Sequence, residues 1–392
     1  MLEELLNPGM YHYYDIPGIG FQPGSEVVTT HGLVERYHWQ RSLNGGPKEP
    51  VTARQAEKST GVKERRWANS TETVTSLAIA ASKQALGIER MTPEETKPIL
   101  DRVRLIIVNT SSPDSHLPGM APAIAHTLGL VNAEVYDVRQ ACAALPYMLN
   151  MAIPMLESTK YGENDEALLI STDILSRVTD PYNYDTASLF ADAAGALRLR
   201  KSRTRKLAYM QLESAGELAD LIMIKPGQNH ISMDGLAVYE EVNRRVPLVV
   251  QKFFNNTKLS MEDIDFVAFH QASGKVIDKL KKELHVPDRK TLNILHEYGN
   301  SSAASMIGVL KEAHESGRLD TGKKILLAGF GAGMEIGIGA IEWSMPNPHE
   351  PKKKRSYLIA FGHRLVSALR WPFHSASEDS VPLPQTKVAI AE

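Results

Sequence analysis

The chain has 392 residues, 43% of them hydrophobic, a formal charge of −2 and a single cysteine. One cysteine excludes an internal disulfide framework and any cysteine-rich zinc or iron–sulfur site. A near-neutral charge gives nucleic acid no footing as the main partner. Residues 1–8 carry no basic region followed by an apolar run, and no apolar run approaches the length of a membrane span. The sequence therefore predicts a soluble cytoplasmic chain without a secretory leader.

In chain order, residues 26–30 read as a short strand, while the first twenty residues, rich in Gly, Pro, Tyr and His, support no assignment. Thr71-Glu72-Thr73 opens a helix with Leu77, Ala78, Ala81 and Leu86 on one face. Leu105-Ile106-Ile107-Val108 is a continuous apolar run, the pattern of a strand buried on both faces. After Pro122 a helix spans 123–130. Residues 133–138 form a strand, and from Cys142 the pattern turns helical, with Leu145, Leu149, Ile153 and Leu156 three or four apart. Residues 167–173 are another buried strand, and 190–197 lead into a further one that ends in a basic, solvated turn at 201–206. A long helix spans 234–254, a strand 264–269 ends at His270-Gln271, and a helix spans 274–284. Residues 300–305 open another helix. Residues 325–328 are a strand running into the glycine-rich 329–333, and 336–343 form the last strand.

Three landmarks recur at a nearly constant offset. Leu105 and Asp265 begin comparable strands 160 positions apart, Gln140 and Asn300 begin comparable helix starts at the same spacing, and Ala167 and Ile325 begin buried strands 158 apart. The pattern predicts two similar halves of strand–helix–strand layers with parallel character. Cys142 and Ser302 would then be symmetry mates, with His270 and Asn300 near the sulfur at the carboxyl ends of the strands.

A thiol in the first turn of a helix is expected to be a stabilised thiolate, suited to taking an acyl group as a covalent thioester. His270 and Asn300 offer N–H donors without fixed negative charge, and two such donors on one carbonyl oxygen stabilise an enolate or oxyanion. On residue types alone the trio suits acyl transfer with carbon–carbon bond formation, and equally a papain-like hydrolase.

Ordered motifs go further. Residues 59–66, 137–144, 190–196, 270–272, 299–305 and 329–333 resemble in sequence the signature segments of the β-ketoacyl-acyl carrier protein synthase III group of the thiolase superfamily. The resemblance spans about 18–343 and implies a thiolase-like α/β fold, two pseudo-duplicated halves layered α-β-α-β-α. It implies that Cys142 is acylated, that His270 and Asn300 hold the extender carbonyl during decarboxylation, and that the amides of Cys142 and of Gly331 or Ala332 form the oxyanion hole. It also implies Arg66 and Lys275 on the carrier and phosphopantetheine side, and Leu117 and Leu145 at the acyl pocket. Further implications are a homodimer with the segment around Leu117-Pro118 closing the partner's pocket, an acyl carrier protein and acyl thioesters as partners, and no metal or resident cofactor, since the phosphopantetheine thioester arrives with the substrate. Departures from the pattern are Ala144 and Pro146 after the nucleophile, Ser273-Gly274-Lys275 after His-Gln-Ala, and Gln55 and Ser59 where the group often has tryptophan and arginine. The last two weaken a coenzyme A adenine site and favour a carrier-bound donor.

The expected organisation is an N-terminal half over 1–205 carrying the nucleophile, a C-terminal half over 206–344 carrying the histidine and asparagine, and an extension over 345–392. In the extension a basic run, 352–355, precedes an amphipathic pattern to Trp371. Weak membrane-surface contact through 352–371 is its functional reading, and a helix packed on the body or a frayed tail the plainer one. The expected activity is a decarboxylating Claisen-type ketosynthase of fatty-acid or specialised-metabolite synthesis. The alternatives are an acyltransferase or thioester hydrolase using the same cysteine, and a non-catalytic partner of a ketosynthase pair.

Overall fold

The computed structural model describes residues 8–42 and 47–350. All elements below belong to the unit Met1–His349. They are strand β1 (Tyr11–Pro23), helix α1 (Val74–Leu86), β2 (Val103–Asn109), α2 (Met120–Leu128), β3 (Glu134–Val138), α3 (Ala144–Glu157), β4 (Glu166–Ile174), β5 (Asp192–Glu213), α4 (Gly235–Thr257), β6 (Phe266–Phe269), α5 (Gly274–Glu283), α6 (Ala304–Glu315), β7 (Lys324–Gly331) and β8 (Glu335–Glu342). The membrane-surface segment expected at 352–371 lies outside the described residues.

The strands hydrogen-bond in the order β6-β7-β8-β5-β4-β2-β3, with β1 antiparallel on β5. β2 pairs in parallel with β3 and β4, and β6 pairs in parallel with β7. Side-chain alternation, with period two, sorts each strand between two cores. In β2, Leu105 and Ile107 face a central core shared with Leu145, Leu149 and Ile153 of α3 and Ile307 and Leu310 of α6. Ile106 and Val108 face an outer core with Leu77 and Ala78 of α1 and Ile124 of α2. In the second half, Phe266 and Ala268 face the central core, and Val267 and Phe269 face a second outer core with Val249 and Phe253 of α4 and Ile277 of α5. The result is helix, sheet, helix pair, sheet, helix. α3 and α6, whose starts are 160 positions apart, form the middle layer.

Four readings needed correction. The unassigned start is β1, disguised by Pro17, Gly18 and Gly20. It runs on β5 with register shifts that accommodate the proline, and its glycines let α1 approach. A Cβ at Gly18 would stand 1.9 Å from the Ala85 carbonyl oxygen. The expected basic turn at 201–206 is not a turn: β5 continues through it as one 22-residue strand. Its charges are answered across the ladder, where Asp15 of β1 pairs with Arg200 at 3.3 Å and Lys206 at 2.8 Å. The expected boundary at 205/206 falls inside this strand. Finally, α2 starts at Met120 and includes Pro122 in its first turn, where a missing N–H costs little.

Candidate active site

Cys142 lies in a single 3₁₀ turn, Ala141–Ala143, between β3 and α3. The turn requires Ala141 at φ 42, a left-handed conformation unusual for a residue with a Cβ. Asn109, fully buried at the end of β2, holds it from both sides. Its Oδ1 accepts the Gln140 N–H at 3.0 Å, and its Nδ2 donates to the Ala141 carbonyl at 3.3 Å and to Ser171 Oγ at 3.1 Å.

The glycine segment closes on the same turn. A Cβ at Gly331 would stand 2.8 Å from the Cys142 nitrogen. Its φ of −169 is extended, so glycine is needed there for room and not for dihedral freedom. Ala332 follows it into the cavity wall.

His270 follows β6 and is 2% exposed. Its Nδ1 lies 3.1 Å from Ser305 Oγ, and its ring meets Phe330 edge to face at 5.2 Å. Asn300 is fixed by backbone bonds to both sides of Phe190: its N–H donates to the Leu189 carbonyl and its carbonyl accepts from Ala191 N–H, each at 2.9 Å. The side chain accepts Ser302 N–H at 3.0 Å and donates one N–H to the Ala272 carbonyl at 3.2 Å. The second N–H of that carboxamide remains for a ligand.

Cys142, His270, Asn300, Ser302, Gly331 and Ala332 line one cavity of ≈ 980 Å³. That is the upper end of small-molecule sites. Its outer wall is apolar and built by the hairpin Ile222–Ile224 with Ile231–Met233 and by Leu236, Tyr239 and Val242 of α4. Lys275 and Arg41 are cations on its lining.

Electrostatics overturn the expected resting thiolate. Burial pushes the Cys142 thiol up to about 12. The Ser302 hydroxyl pulls the other way, and the Asp173 carboxylate adds to the rise. Burial likewise pushes His270 down to about 3. A helix-start field is therefore outweighed by desolvation, and the resting pair is neutral thiol and neutral imidazole.

Of the expected site residues, Cys142, His270, Asn300, Ala332 and Lys275 meet at the cavity. Arg66 does not line it: its guanidinium is taken by Glu64 at 3.0 Å and Glu297 at 3.3 Å and lies over the Tyr298 ring. Leu145, expected at the acyl pocket, points into the central core and is fully buried, because its helical phase matches Leu149. Leu117 is 90% exposed and away from the cavity of its own chain. Gln55 serves a capping box, with Oε1 accepting Thr52 N–H at 2.8 Å. Sequence reasoning missed Asn109, Asp173 and Ser305. The first two are polar ends of buried strands, the only signal they give. Among the described residues no group of three His, Cys, Asp or Glu could hold a metal ion, and no helix is long and apolar enough to cross a membrane.

Comparison with known proteins gives a consistent result. Residues 136–216 match the family described as 3-oxoacyl-[acyl-carrier-protein] synthase III, and 254–343 match its C-terminal domain. The β-ketoacyl-[acyl-carrier-protein] synthase III of Prochlorococcus marinus (strain MIT 9313) is 33% identical over 305 residues, covering 73% of this chain and 87% of that protein. The acetoacetyl CoA synthase NphT7 of Streptomyces sp. (strain CL190) is 31% identical over 303 residues, covering 73% and 89%. The solved 3-oxoacyl-(acyl carrier protein) synthase III of Pseudomonas aeruginosa PAO1 superposes with a TM-score of 0.75 at 26% identity, covering 86% of this chain and 100% of that one. With that likeness beside a cysteine, an imidazole and a carboxamide on one cavity, the chain belongs to the β-ketoacyl-[acyl-carrier-protein] synthase III family of thiolase-like condensing ketosynthases, which are acyltransferases.

Proposed function

We propose that the chain joins a Cys142-bound acyl group to a malonyl-carrier thioester by decarboxylative Claisen condensation. Cys142 Sγ attacks the incoming thioester, and the oxyanion is met by the amides of Cys142 and of Gly331 or Ala332. The carrier thiol leaves. The extender then enters, and His270 and Asn300 N–H groups hold its thioester carbonyl while carbon dioxide departs. The enolate carbon attacks the acyl-enzyme and frees the sulfur.

The observation that carries this reading is the shared lining of one apolar cavity by Cys142, His270, Asn300 and Ala332. Neutral His270 also favours it over a papain-like hydrolase, which depends on a resting thiolate–imidazolium pair. A carrier-bound donor is supported by Gln55, which is held in its capping box and offers no flat platform for adenine, and by exposed Lys275 beside the opening. The substrate brings its own phosphopantetheine arm, so no resident cofactor takes part. A homodimer is the companion proposal: Leu117, exposed on its own chain, would close the acyl pocket of a second copy. A single cysteine suits a reducing cytoplasm.

The test is to incubate the protein with acyl-carrier and acyl-coenzyme A thioesters and read the mass added to the Cys142 peptide. A malonyl-carrier thioester is then supplied and carbon dioxide and product are measured. Carrier-dependent loading, and a Cys142→Ser protein that decarboxylates without condensing, are expected. Loading followed only by hydrolysis would overturn condensation, and equal loading from coenzyme A would overturn the carrier preference.

A further inference from the structure

The condensation leaves two polar side chains of the cavity wall unused. Glu335 opens β8 and lines the cavity with Cys142. It stands across the ladder from Gly331, where a Cβ would be 2.8 Å from the Cys142 nitrogen. Side chains alternate along a strand, so Glu335 shares a face with Gly337, where a Cβ would meet Pro146 of α3 at 2.8 Å. The carboxylate therefore lies on the middle-layer side of the nucleophile turn. Its Oε1 accepts a Gln140 Nε2–H at 3.4 Å. Its Oε2 is screened from solvent and has no hydrogen-bond partner among the described residues. Ser111, two residues past β2, is the other. It lines the same cavity, and its Oγ is likewise screened and without a partner among the described residues. β2 and β3 run side by side as far as Asn109 and Val138, and Asn109 Oδ1 accepts the Gln140 N–H at 3.0 Å. Ser111 and Glu335 thus flank Gln140, just ahead of the nucleophile.

Polar oxygens left unpaired in a wall of this kind are costly, and each calls for a reason. A carboxylate accepts, whereas a hydroxyl donates and accepts. The terminal torsion of a glutamate is soft, so the carboxylate can turn either oxygen to a ligand. The neutral group that donates to Glu335 and accepts from Ser111 is a hydroxyl. An ammonium has no acceptor, and the lining already carries three cations, Arg41, Arg139 and Lys275, against two carboxylates, Asp185 and Glu335. Burial raises Glu335 from its ordinary range, with the Gln140 bond working against the rise. A hydroxyl, donor and acceptor in one, suits either protonation state.

We propose that Ser111 and Glu335 form a subsite for a hydroxyl on the acyl chain, so that hydroxyacyl thioesters load Cys142 ahead of saturated ones. The proposal deepens the reading of Cys142 as the acylated residue and rests on it. The carrier's arm passes Lys275, at the start of the outer-layer helix α5. The middle-layer side of the turn is then left to the acyl chain. A few placed polar groups in an apolar wall are what orient a small ligand. An apolar pocket alone hardly discriminates an added hydroxyl, whereas polar groups awaiting one reject the chain that lacks it.

Competition tests it. The protein receives equimolar acyl-carrier thioesters of one chain length, one saturated and one hydroxylated, with the hydroxyl moved carbon by carbon in successive mixtures. Early in loading, the two masses on the Cys142 peptide stand in the ratio of the two kcat/KM values. One hydroxyl position should win by about 10- to 100-fold in the wild type. The methyl ether at that position, which keeps the oxygen and loses the donor, should not win. Glu335→Leu should bring the ratio to about one or below, and Ser111→Ala should cut it about three- to tenfold. Glu335→Gln, which keeps an acceptor, should fall between leucine and wild type. No favoured position in the wild type, an unchanged ratio in Glu335→Leu, or an aminoacyl chain loaded ahead of the hydroxyacyl one overturns the subsite. So does equal slowing of both thioesters, which would put Glu335 on the arm they share. If Glu335→Leu does not fold, the wild-type ratios and Glu335→Gln decide. Saturated and hydroxylated chains that both fail to load Cys142 would sink the acyl-enzyme reading instead, so the two failures are distinguishable.

Discussion

Ser305 Oγ lies 3.1 Å from His270 Nδ1 and donates to the Ser302 carbonyl at 2.7 Å, while Gln271 N–H reaches it at 3.3 Å. One hydroxyl proton faces two acceptors, the imidazole and the carbonyl. Turned to Nδ1, it leaves the ring's single N–H on Nε2, able to hold an extender carbonyl. Turned to the carbonyl, it places that N–H on Nδ1. The orientation of the Ser305 hydroxyl is thus coupled to the tautomer of His270. Ser305→Ala should lower malonyl-carrier decarboxylation about tenfold with acyl loading of Cys142 within about threefold. Equal losses in the two half-reactions would place the serine's effect on the thiol side.

Asn109 divides its carboxamide between the Cys142 turn and Ser171 of β4. Asn109→Ala removes the acceptor of Gln140 N–H and the donor to Ala141 and Ser171, leaving buried groups unpaired at about 1–3 kcal/mol. The melting midpoint should fall, and the loading rate should fall more than stability alone explains, because Ala141 loses what holds its left-handed φ. Asn109→Asp keeps the acceptor and loses the donor, so it should fall between. A variant that melts lower but loads normally would show that the turn holds itself.

The layering was legible because alternation and offset are chemical facts of the chain. Leu105 to Val108 is apolar at every position since both faces of β2 are covered, and α3 and α6 carry small residues at their starts because two helices share one middle layer. The misread parts share a cause, which is that partners distant in sequence decide them. Lys206 looks like a turn until Asp15 stands opposite it, and Pro17 and Gly18 look like a loop until α1 packs on them. Cys142 looks like a thiolate until the cavity's burial is counted. Cys142 was legible as the lone cysteine at a strand-to-helix turn, and His270 and Asn300 because the 160-residue offset and the ordered motifs put them at matching strand and helix ends. Asp173 was not, since a buried strand ending in aspartate has no one meaning.

Two buried groups tilt acid stability in opposite directions. Asp192 accepts Ala68 N–H at 2.7 Å and both Ser176 groups, and burial raises it to about 6. The folded state binds this proton more tightly than the unfolded one, so its contribution is present below about 4 and lost as pH rises to about 6. His270, pushed down to about 3, contributes above its unfolded value near 6.5 and loses it as pH falls. Each amounts to a few kcal/mol. Asp192→Asn should therefore make stability climb more steeply from pH 4 to 6 than in the wild type, and His270→Asn should make it fall. Urea midpoints across that range check both slopes, and slopes unchanged in both variants would rule the pair out.

Lys275 is exposed on the lining of the cavity, just after the Ser273 that caps α5. As a solvated point charge it suits an acidic carrier or a phosphate more than the reacting carbonyl. Lys275→Glu should raise KM for a carrier-bound donor about tenfold with kcat little changed, and the gap should narrow as salt screens both charges. A fall in kcat at unchanged KM would move this residue into the chemistry.

Gly331 gives the most stringent steric test. Its extended φ would accept alanine, so a loss on substitution can come only from crowding. The added Cβ would sit 2.8 Å from Cys142 N, 3.1 Å from Cys142 Cβ and 3.3 Å from Ala143 N, all rigid atoms of one short turn. Overpacking of this kind costs about 1–3 kcal/mol, a loss the folded body can absorb. The sulfur and the amides around it would be displaced together, and losing one oxyanion donor alone slows acyl transfer about 100- to 1000-fold. Gly331→Ala should therefore fold, melt a few degrees lower, and load Cys142 at least about 100-fold more slowly. Alkylation of its thiol by iodoacetamide at pH 9 should change far less, since that reaction forms no oxyanion. If loading and alkylation fall together, the methyl blocks the sulfur itself, and the loss is not one of oxyanion binding.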